Sequence, residues 1–301
     1  MKIFITGGTG FVGTDLSRHL LRKGHSVIAV GRSSSHKLSG RDNFQYISAD
    51  TTKKGDWQKA LYNVDAAVNL AGVNIFRLWT DSYKTQIYDS RILTTRNLVE
   101  AMPKDKGLTL CSTSAAGYYG NRGDEILIED ARQGDDFLAK VCIDWEKEAY
   151  QAKAKGIRVV TMRFGVVLGK SGGAIKKMLP AFKFFVGGPM GNGQHWFSWI
   201  HLDDLVSAIL FILENPQTRG PVNFSAPNPV RNKDFAKALG KAIKRPSFMS
   251  VPSFMIRLIM GELGTSLLNS QRLSPGKLAK YGFKFQYPNI SSALSEIVMA
   301  S

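Results

Sequence analysis

The first half of the chain alternates short runs of apolar and β-branched residues with longer amphipathic stretches. This pattern is typical of βαβ units that build a parallel sheet. Six strands are predicted, at Lys2–Thr6, Ser26–Gly31, Phe44–Ser48, Ala66–Leu70, Leu108–Ser112 and Arg158–Met162. Four helices are predicted between them, near Val12–Lys23, Asp56–Leu61, Asp81–Met102 and Phe137–Lys155. Because crossovers between parallel strands are right-handed, the helices should cover both faces of a doubly wound α/β sheet.

The pattern changes after Gly169, where glycine clusters interrupt the chain and later segments predict short helices and irregular structure. Two of the later segments, Asp203–Leu213 and Val222–Ser225, predict a helix and a strand that return to the first sheet. We therefore expect two lobes that interleave along the chain. The predicted larger lobe comprises residues 1–170, with 200–226 returning to it, and the predicted smaller α/β lobe comprises 171–199 and 227–301.

A glycine-rich turn directly follows the first strand. The segment from Thr6 to Gly13 is Thr-Gly-Gly-Thr-Gly-Phe-Val-Gly, and it precedes a helix with apolar periodicity. In this context glycines allow a tight turn and a close backbone approach to a pyrophosphate, while the helix start supplies N–H donors and a positive dipole end. The turn predicts a Rossmann-type dinucleotide site, with contacts from Gly7, Thr9, Gly10, Phe11, Val12 and Gly13. The Walker A spacing of a nucleoside triphosphate site is absent from the sequence.

The end of the second strand should reach the adenosine ribose, where a site for NAD carries an acidic residue. Arg32 and Ser33 stand there instead. A guanidinium can pair bidentately with a 2′-phosphate and a hydroxyl can add a hydrogen bond, so NADP(H) is favoured over NAD(H), although Arg32 also fits a solvated loop. Asp50 is predicted beside the adenine, and Leu70-Ala71-Gly72 is predicted to form a ledge of small residues against the cofactor.

Composition and charge limit the class of protein. An apolar fraction of 44% is ordinary for a globular chain, and no apolar run approaches the roughly 18 residues that cross a bilayer. The N-terminal segment lacks secretory features, and Cys111 and Cys142 have no metal-ligand spacing. We therefore expect a soluble, cytoplasmic, metal-free protein with a small-molecule substrate and no membrane insertion; the oligomeric state is not predicted. The net charge of +16 attracts anions in general, but no nucleic-acid motif accompanies it, so no dedicated nucleic-acid partner is predicted.

Several motifs together resemble the extended short-chain dehydrogenase/reductase superfamily, to which nucleotide-sugar epimerases belong. They are Thr6–Gly13, Asn69–Gly72, Arg163–Gly169 and Trp199–Asp204. Other segments resemble one atypical branch of that superfamily, the "epimerase family proteins", also called cell-division-inhibitor-like, whose C-terminal region is a domain of unknown function. These segments include Ser114–Gly120, Gly172–Ala174, Ala226–Val230 and Gly282–Phe285. The resemblance covers nearly the whole chain, but the branch has no assigned substrate.

In the wider superfamily a Ser or Thr, a Tyr, and a Lys four residues after the Tyr carry the proton chemistry beside the nicotinamide. None of the nine tyrosines in this chain has a lysine four residues later. When Glu146 is taken as the glutamate that follows the pair in relatives, the Tyr and Lys positions fall on Leu138 and Cys142. The resemblance therefore implies a site without the usual Tyr/Lys pair.

Hydroxyl groups near the fifth strand are the remaining candidates for proton transfer. Ser114 follows that strand where the superfamily places its catalytic hydroxyl, and Thr113 is the near rival. Tyr118 or Tyr119 would replace the missing tyrosine if its side chain turned into the crevice; the alternative is a packing role. Ser114 and Tyr118 are therefore the predicted catalytic residues.

The same resemblance implies which segments surround the nicotinamide and the substrate. Phe164 and Val166 should lie beside the nicotinamide. The predicted substrate contacts are Asn74, Trp79, Arg91, Trp199 and His201. Arg91 and the charge surplus suit an anionic substrate, whereas a lone His beside a Trp is also typical of a core or of an interface between lobes.

Three functions fit these observations. The first is an NADP(H)-dependent oxidoreductase that acts on an unidentified small, anionic carbonyl or hydroxy compound held between the lobes. The second is a non-catalytic NADP(H)-sensing regulatory protein, which the missing Tyr/Lys pair motivates. The third is a nucleotide-sugar epimerase, which the missing pair disfavours, since simple hydride delivery can use a serine or water as the proton source.

Overall fold

The computed structural model describes residues 1–170 and 172–299. The strands are β1 (Lys2–Thr6), β2 (Ser26–Gly31), β3 (Phe44–Ser48), β4 (Ala66–Asn69), β5 (Thr109–Ala115), β6 (Ile126–Leu127), β7 (Arg158–Phe164), β8 (Val166–Gly169), β9 (Trp196–Phe197), β10 (Trp199–His201), β11 (Gly220–Phe224), β12 (Val230–Arg231) and β13 (Arg272–Leu273). The α-helices are α1 (Phe11–Arg22), α2 (Asp81–Ala101), α3 (Phe137–Tyr150), α4 (Gly173–Lys183), α5 (Leu202–Glu214), α6 (Asn232–Ala242), α7 (Ser253–Leu267), α8 (Gly276–Lys280) and α9 (Ile290–Met299). Residues 171, 300 and 301, which the sequence assigns to the smaller lobe, lie outside the described residues.

Seven strands form the central sheet in the order β3-β2-β1-β4-β5-β7-β11, and all neighbouring pairs are parallel. The strand order reverses between β1 and β4. Ligands of such sheets bind outside the carboxyl ends of the strands at this reversal. Here the residues that follow the two strands are Gly7 and Leu70, which places the glycine turn at the expected binding edge.

Both faces of the sheet are covered, because side chains alternate along each strand and both alternating sets are apolar. In β1, Ile3 and Ile5 belong to the buried cluster that contains residues of α1 and α5. Phe4 belongs to the cluster on the opposite face, with Trp57 and with Leu98 of α2. The predicted doubly wound α/β fold of Rossmann type is thus confirmed.

Two central strands run further than the sequence predicts. The prediction ended β5 at Ser112, but the ladder with β7 continues through Ser114 opposite Arg163 and Ala115 opposite Phe164. Pairing with a buried neighbouring strand outweighs the polarity of these side chains. Ser114 therefore lies inside β5 and does not follow it. The predicted helix Phe137–Lys155 corresponds to α3, which ends at Tyr150, and a short 3-10 helix that follows it.

The later part of the chain contributes to the large sheet and to a second core. α5 packs in the same apolar cluster as α1, and β11 pairs with β7, with Gly220 opposite Val160. A separate buried cluster, which includes Trp199, Phe235 and Leu294, lies where α4, α6 and α9 meet β8 and β10. In the described part of the chain, no helix has both the length and the apolar character that crossing a bilayer requires.

Candidate functional site

The glycine turn after β1 is shaped by backbone contacts that leave no room for side chains. Gly7 has a φ of +66°, and a Cβ there would lie 2.8 Å from the backbone carbonyl of Leu70. A Cβ on Gly13 would lie 2.3 Å from the carbonyl oxygen of Gly7, so α1 begins directly against the turn. Gly10 is the N-cap of α1 and offers no side chain to the first N–H groups of the helix. These N–H groups and the positive helix end fit a diphosphate.

A crevice of about 180 Å³ adjoins this turn. Eight of the predicted cofactor contacts line it together: Gly7, Thr9, Gly10, Arg32, Asp50, Leu70, Ala71 and Gly72. The carboxylate of Asp50 accepts hydrogen bonds from the backbone N–H and the hydroxyl of Thr52, at 3.1 and 2.8 Å. Ser90 and Thr94 of α2 also line it. Sequence reasoning missed them because they lie far along the chain from the glycine motif.

A second crevice, of about 310 Å³, shares Thr9 and Gly10 with the first and contains the predicted residue Ser33. Its other polar lining residues were not predicted: Thr14, Asp15, Arg18, Ser35, His36 and Lys37. His36 Nδ1 accepts a hydrogen bond from the N–H of Leu38, so Nε2 carries the proton and donates it to the carbonyl of Gly8 at 3.0 Å. This pair of bonds ties the loop after β2 to the glycine turn.

A third cavity, of about 420 Å³, extends from the ends of β5 and β7 to residues of the predicted smaller lobe. Nine predicted site residues line it: Phe11, Val12, Leu70, Ala71, Gly72, Arg91, Ser114, Phe164 and Val166. The ledge Leu70–Gly72 belongs to both this cavity and the first crevice. A ligand in the crevice and a ligand in the cavity would therefore meet at that ledge.

One wall of the cavity is formed by α3 and carries no ionised group. Leu138, Val141, Cys142 and Trp145 line it. Two of these, Leu138 and Cys142, are the positions to which the sequence assigns the missing Tyr/Lys pair. Burial, reinforced by the charge of Glu146, raises the pKa of the Cys142 thiol to about 11, so this thiol is neutral at physiological pH.

Ser114 and Thr113 bring two hydroxyl groups to the cavity from β5. Ser114 is fully buried beside the thiol of Cys142. The hydroxyl oxygen of Thr113 is buried and has no hydrogen-bond partner among the described residues. Burial of a hydroxyl group without a hydrogen-bond partner costs free energy unless a ligand supplies the partner.

Tyr118 and Tyr119 are not among the described residues that line the cavity, although Tyr118 was expected to turn into the crevice. The guanidinium of Arg163 lies 3.4 Å from the centroid of the Tyr118 ring. The hydroxyl of Tyr119 donates to Asn223 and accepts from Arg163, and burial raises its pKa to about 12. Both rings pack around Arg163, so the packing alternative describes their position.

Arg91 reaches the cavity from α2 and lies against the ledge. A Cβ on Gly72 would lie 3.0 Å from its guanidinium carbon, so only glycine fits there without displacing the arginine. Its guanidinium donates to the carbonyl oxygens of Ile87 and Val73, at 2.9 and 3.2 Å, and lies 5.2 Å from the centroid of the Trp145 ring. The side chain is thus held in place before any ligand arrives.

The charge of Arg91 has no carboxylate counterpart among the described residues. Burial lowers its pKa, and the only groups that oppose this effect are the Cys142 thiol and the Tyr83 phenol. A cation that is taken out of water without an anion costs free energy. The arrangement would gain stability from an anionic group placed in the cavity.

Asn74 and Trp79 lie next to the cavity but do not line it. The side-chain oxygen of Asn74 accepts from the N–H of Phe76 at 2.8 Å, and Trp79 Nε1 donates to the carbonyl of Ile75 at 2.8 Å. Ile75 and Phe76 are the residues of this loop that line the cavity. Asn74 and Trp79, which were predicted to contact the substrate, shape this loop through local hydrogen bonds.

Trp199 and His201, which were also predicted to contact the substrate, do not line any of the three cavities. Trp199 is fully buried and donates from Nε1 to the carbonyl of Asn228 at 3.2 Å. His201 Nδ1 accepts from the N–H of Asp203 and caps α5, and Nε2 lies 3.0 Å from a carboxylate oxygen of Glu296. Because side chains alternate along a strand, both lie on the same face of β10.

His195 is one of the cavity residues that sequence reasoning missed. Its side chain lines the cavity, and Nε2 is buried without a hydrogen-bond partner among the described residues. Burial lowers its pKa below the ordinary value of 6.5, with no charged group contributing, so the imidazole is neutral at neutral pH. Its position among glycines and aromatic residues follows no recognisable motif, and only the folded chain brings it to the same cavity as Thr113.

Comparisons with known proteins agree with this geometry. Residues 3–225 match the NAD dependent epimerase/dehydratase family, and residues 251–297 match a domain of unknown function, DUF1731. An epimerase family protein SDR39U1 homologue from the chloroplast of Arabidopsis thaliana is 37% identical and covers 99% of this chain and 87% of its own length. The epimerase family protein YfhF of Bacillus subtilis is 38% identical, with 99% and 98% covered.

Solved structures give the same result. The crystal structure of human epimerase family protein SDR39U1 with NADPH has a TM-score of 0.88 and 31% identity over the full length of both chains. A nucleoside-diphosphate sugar epimerase from Corynebacterium glutamicum has a TM-score of 0.78 and 35% identity, covering 99% of this chain and 58% of its own. On these matches, the chain belongs to the NAD dependent epimerase/dehydratase family of extended short-chain dehydrogenases/reductases and carries a C-terminal DUF1731 region.

Proposed function

We propose that this protein is an NADP(H)-dependent oxidoreductase that acts on a small, anionic carbonyl or hydroxy compound. The substrate would occupy the 420 Å³ cavity between the larger lobe (1–170 with 200–226) and the smaller lobe (171–199 and 227–301). The observation that carries the proposal is the position of Arg91. It is a mostly buried cation, without a carboxylate partner among the described residues, at the ledge that the cavity shares with the cofactor crevice.

NADP(H) is proposed as the cofactor on two grounds. The human relative that is 31% identical was crystallised with NADPH. In this chain, Arg32 lines the crevice where an NAD site carries an acidic residue, and Ser33 and Lys37 line the crevice beside it. These groups suit a 2′-phosphate, and the glycine turn suits the diphosphate. When bound, the cofactor supplies or accepts a hydride; Phe164 and Val166 would flank its nicotinamide end.

The proton needs a separate carrier, which we assign to His195. Reduction of a carbonyl adds a hydride to carbon and a proton to oxygen, and oxidation of a hydroxyl removes both. Leu138 and Cys142 cannot take the roles of the missing Tyr and Lys, whereas His195 lines the cavity and its Nε2 has no hydrogen-bond partner among the described residues. The imidazolium would donate the proton in reduction, and the neutral imidazole would accept it in oxidation. Thr113 and Ser114 would hydrogen-bond the substrate oxygen.

Calorimetry and a turnover assay together test this proposal. Titration with NADPH should give one site per chain, and NADPH absorbance should fall when carboxylate-bearing aldehydes and 2-oxo acids are added. Arg91→Gln should bind NADPH as the native chain does but lose turnover. No turnover across a broad panel would contradict the oxidoreductase, and no heat of NADPH binding would contradict the cofactor assignment.

A non-catalytic NADP(H) sensor is the second candidate, and the apolar wall formed by α3 favours it. Leu138 and Cys142 line the cavity where relatives of the superfamily carry ionisable groups. A sensor must distinguish the oxidised from the reduced cofactor through conformation. Hydrogen exchange with NADP⁺ and with NADPH would therefore differ at the cavity for a sensor that shows no turnover, and identical exchange with both would contradict this candidate.

A further inference from the structure

One face of the protein carries a dense group of exposed apolar side chains. Fifteen large apolar side chains are exposed among the described residues, and nine of them belong to three segments. We call these nine the apolar patch: Phe184, Phe185, Val186, Phe248, Met249, Phe254, Met255, Leu258 and Ile259. Single exposed apolar residues are ordinary, but a concentration of this kind marks an interaction surface.

The three segments are neighbours in space. The residues that follow Val186 run beside those that follow Phe248, because Met190 forms a parallel bridge with Val251 and a Cβ on Gly188 would lie 2.2 Å from the carbonyl oxygen of Met249. α7 begins at Ser253, directly after the segment that contains Met249 and Val251, so its first two turns extend the same surface. The patch is therefore one surface built from three pieces.

Basic residues flank the patch residues along the chain. The chain from 235 to 261 contains Lys237, Lys241, Lys244, Arg245 and Arg257 and no acidic residue. The chain from 176 to 190 contains Lys176, Lys177 and Lys183, again without an acidic residue. The guanidinium of Arg245 lies 5.0 Å from the centroid of the Phe185 ring, so charge and apolar surface are interleaved. The nearest acidic residue on α7, Glu262, is paired with Lys84 at 2.8 Å.

We propose that the apolar patch docks on the surface of an anionic phospholipid bilayer. Protruding apolar side chains with a basic rim are the features of proteins that lie in the membrane interface, where the apolar groups enter the headgroup region and the cations pair with anionic lipids. Docking of this kind needs no spanning helix. It goes beyond the proposed oxidoreductase function and does not depend on it.

Two other occupants fit the surface less well. A second copy of the chain would bring one basic rim against another, and like charges at an interface oppose association. A protein partner usually inserts anchoring side chains into preformed pockets. None of the three cavities described above is lined by a patch residue, and Leu258, Phe184 and Phe248 are 81%, 77% and 76% exposed. The side chains project outward, which suits insertion into lipid.

α7 joins the apolar patch to the cavity. Its first two turns carry Phe254, Leu258 and Ile259 of the patch, and its last turn contributes Leu263 and Leu267 to the cavity lining. The helix is kinked between the two parts at Gly261, whose φ is +58°. Docking through the patch therefore engages an element that also shapes the cavity.

Vesicle flotation of the full chain with NADPH tests the proposal. The protein should float with vesicles of phosphatidylcholine mixed with phosphatidylglycerol and remain unbound with phosphatidylcholine alone. The double variant Leu258→Ser/Ile259→Ser should bind at least about tenfold more weakly, because two exposed apolar side chains no longer enter the interface. Arg257→Glu should weaken binding about tenfold, and added salt should weaken the native protein in the same way.

Matched controls separate the patch from general charge and general apolarity. Ile128→Ser removes an apolar side chain that is 50% exposed outside the patch, and Lys104→Glu reverses an exposed charge outside it; both should bind as the native chain does. Circular dichroism and NADPH binding confirm folding. The proposal is overturned if the folded native chain ignores anionic vesicles or if Leu258→Ser/Ile259→Ser binds unchanged. It is also overturned if sedimentation shows a dimer that this double variant dissociates.

Discussion

Arg163 is buried and Arg91 is partly buried, and the surroundings of the two arginines differ. Arg163 forms two hydrogen bonds with the carboxylate of Glu146, at 2.7 and 2.9 Å, and two more with the Tyr119 hydroxyl and the Glu129 carbonyl. Burial works against its charge, but Glu146 outweighs burial and raises the pKa of Arg163 above its ordinary value. Arg91 donates only to backbone carbonyls, and burial lowers its pKa.

The comparison shows how a structural charge differs from one that is available to a ligand. Arg163 has its anion, and protein groups accept hydrogen bonds from four of the five N–H groups of its guanidinium, so its charge is already neutralised within the protein. Arg91 keeps an unneutralised charge beside an open cavity. Burial of Arg91 on folding therefore costs desolvation free energy that no ion pair offsets, and an anionic ligand would supply the missing partner.

The largest effect is expected where the complete ion pair is broken. Glu146→Gln leaves Arg163 buried and charged without an anion, which should lower the free energy of unfolding by about 3–5 kcal/mol. Urea denaturation measures this. Glu148→Gln is the matched control, because Glu148 lies on the same helix and pairs with the half-exposed Arg96; its cost should be about 0–1 kcal/mol. Equal losses in the two variants would contradict the comparison.

Arg91→Gln is expected to affect turnover and not stability. Removing the cation should lower kcat/KM for an anionic substrate by about 10²–10³-fold, because a buried charged hydrogen bond is lost. NADPH affinity should stay within about twofold, since the variant leaves the glycine turn intact. Arg91→Lys, which keeps the charge, should retain part of the activity. If Arg91→Gln lowered the free energy of unfolding as much as Glu146→Gln does and left turnover intact, Arg91 would be a structural residue.

A third arginine, Arg32, sharpens the comparison because it is exposed at the rim of the first crevice. Arg32→Asp should reduce the preference for NADPH over NADH by about 10–100-fold, since a carboxylate repels the 2′-phosphate and accepts from a 2′-hydroxyl. Competition binding with the two cofactors measures the change. Arg41→Asp, an exposed substitution outside the cavities, should leave the preference unaltered. An unchanged preference in Arg32→Asp would show that the phosphate pocket lies elsewhere.

The smallest effect is expected at His195, the proton carrier proposed in the cavity that Arg91 also lines. Burial lowers its pKa below 6.5, so the imidazolium form needed for reduction accumulates only as the pH falls below that value. The rate of reduction should therefore rise as the pH is lowered, and His195→Gln should flatten the profile and slow the low-pH rate about tenfold. His25→Gln is the control, because burial also lowers the pKa of His25, which lies outside the cavity. A native profile that His195→Gln leaves intact would remove His195 from the mechanism.

The cofactor crevice was predictable from local sequence, because its determinants are local. Gly7 and Gly13 sit where backbone contacts exclude a Cβ, and such positions leave a glycine pattern that can be recognised without the fold. Arg32 and Asp50 follow strands whose ends converge in any sheet of this type. The periodicity of the first half was therefore sufficient to bring eight predicted residues to one crevice.

The cavity was less predictable, because pairings between distant segments decide which side chains reach it. His201 is turned away by its contact with Glu296, 95 residues later, and Trp199 by the core of α6 and α9. No local pattern encodes these contacts. Contacts between distant segments also bring His195 to the cavity wall. Tyr118 does not line the cavity, because the guanidinium of Arg163, far along the chain, stacks on its ring.

The most direct test of the central claim compares acids with their neutral analogues. NADPH oxidation would be followed with a panel of carboxylate-bearing carbonyl compounds and with the corresponding methyl esters, using the native chain and Arg91→Gln. An unpaired Arg91 predicts that the native chain prefers an acid over its ester by at least about tenfold in kcat/KM and that Arg91→Gln loses this preference. Equal turnover of acids and esters by the native chain, or a preference that survives in Arg91→Gln, would contradict the account.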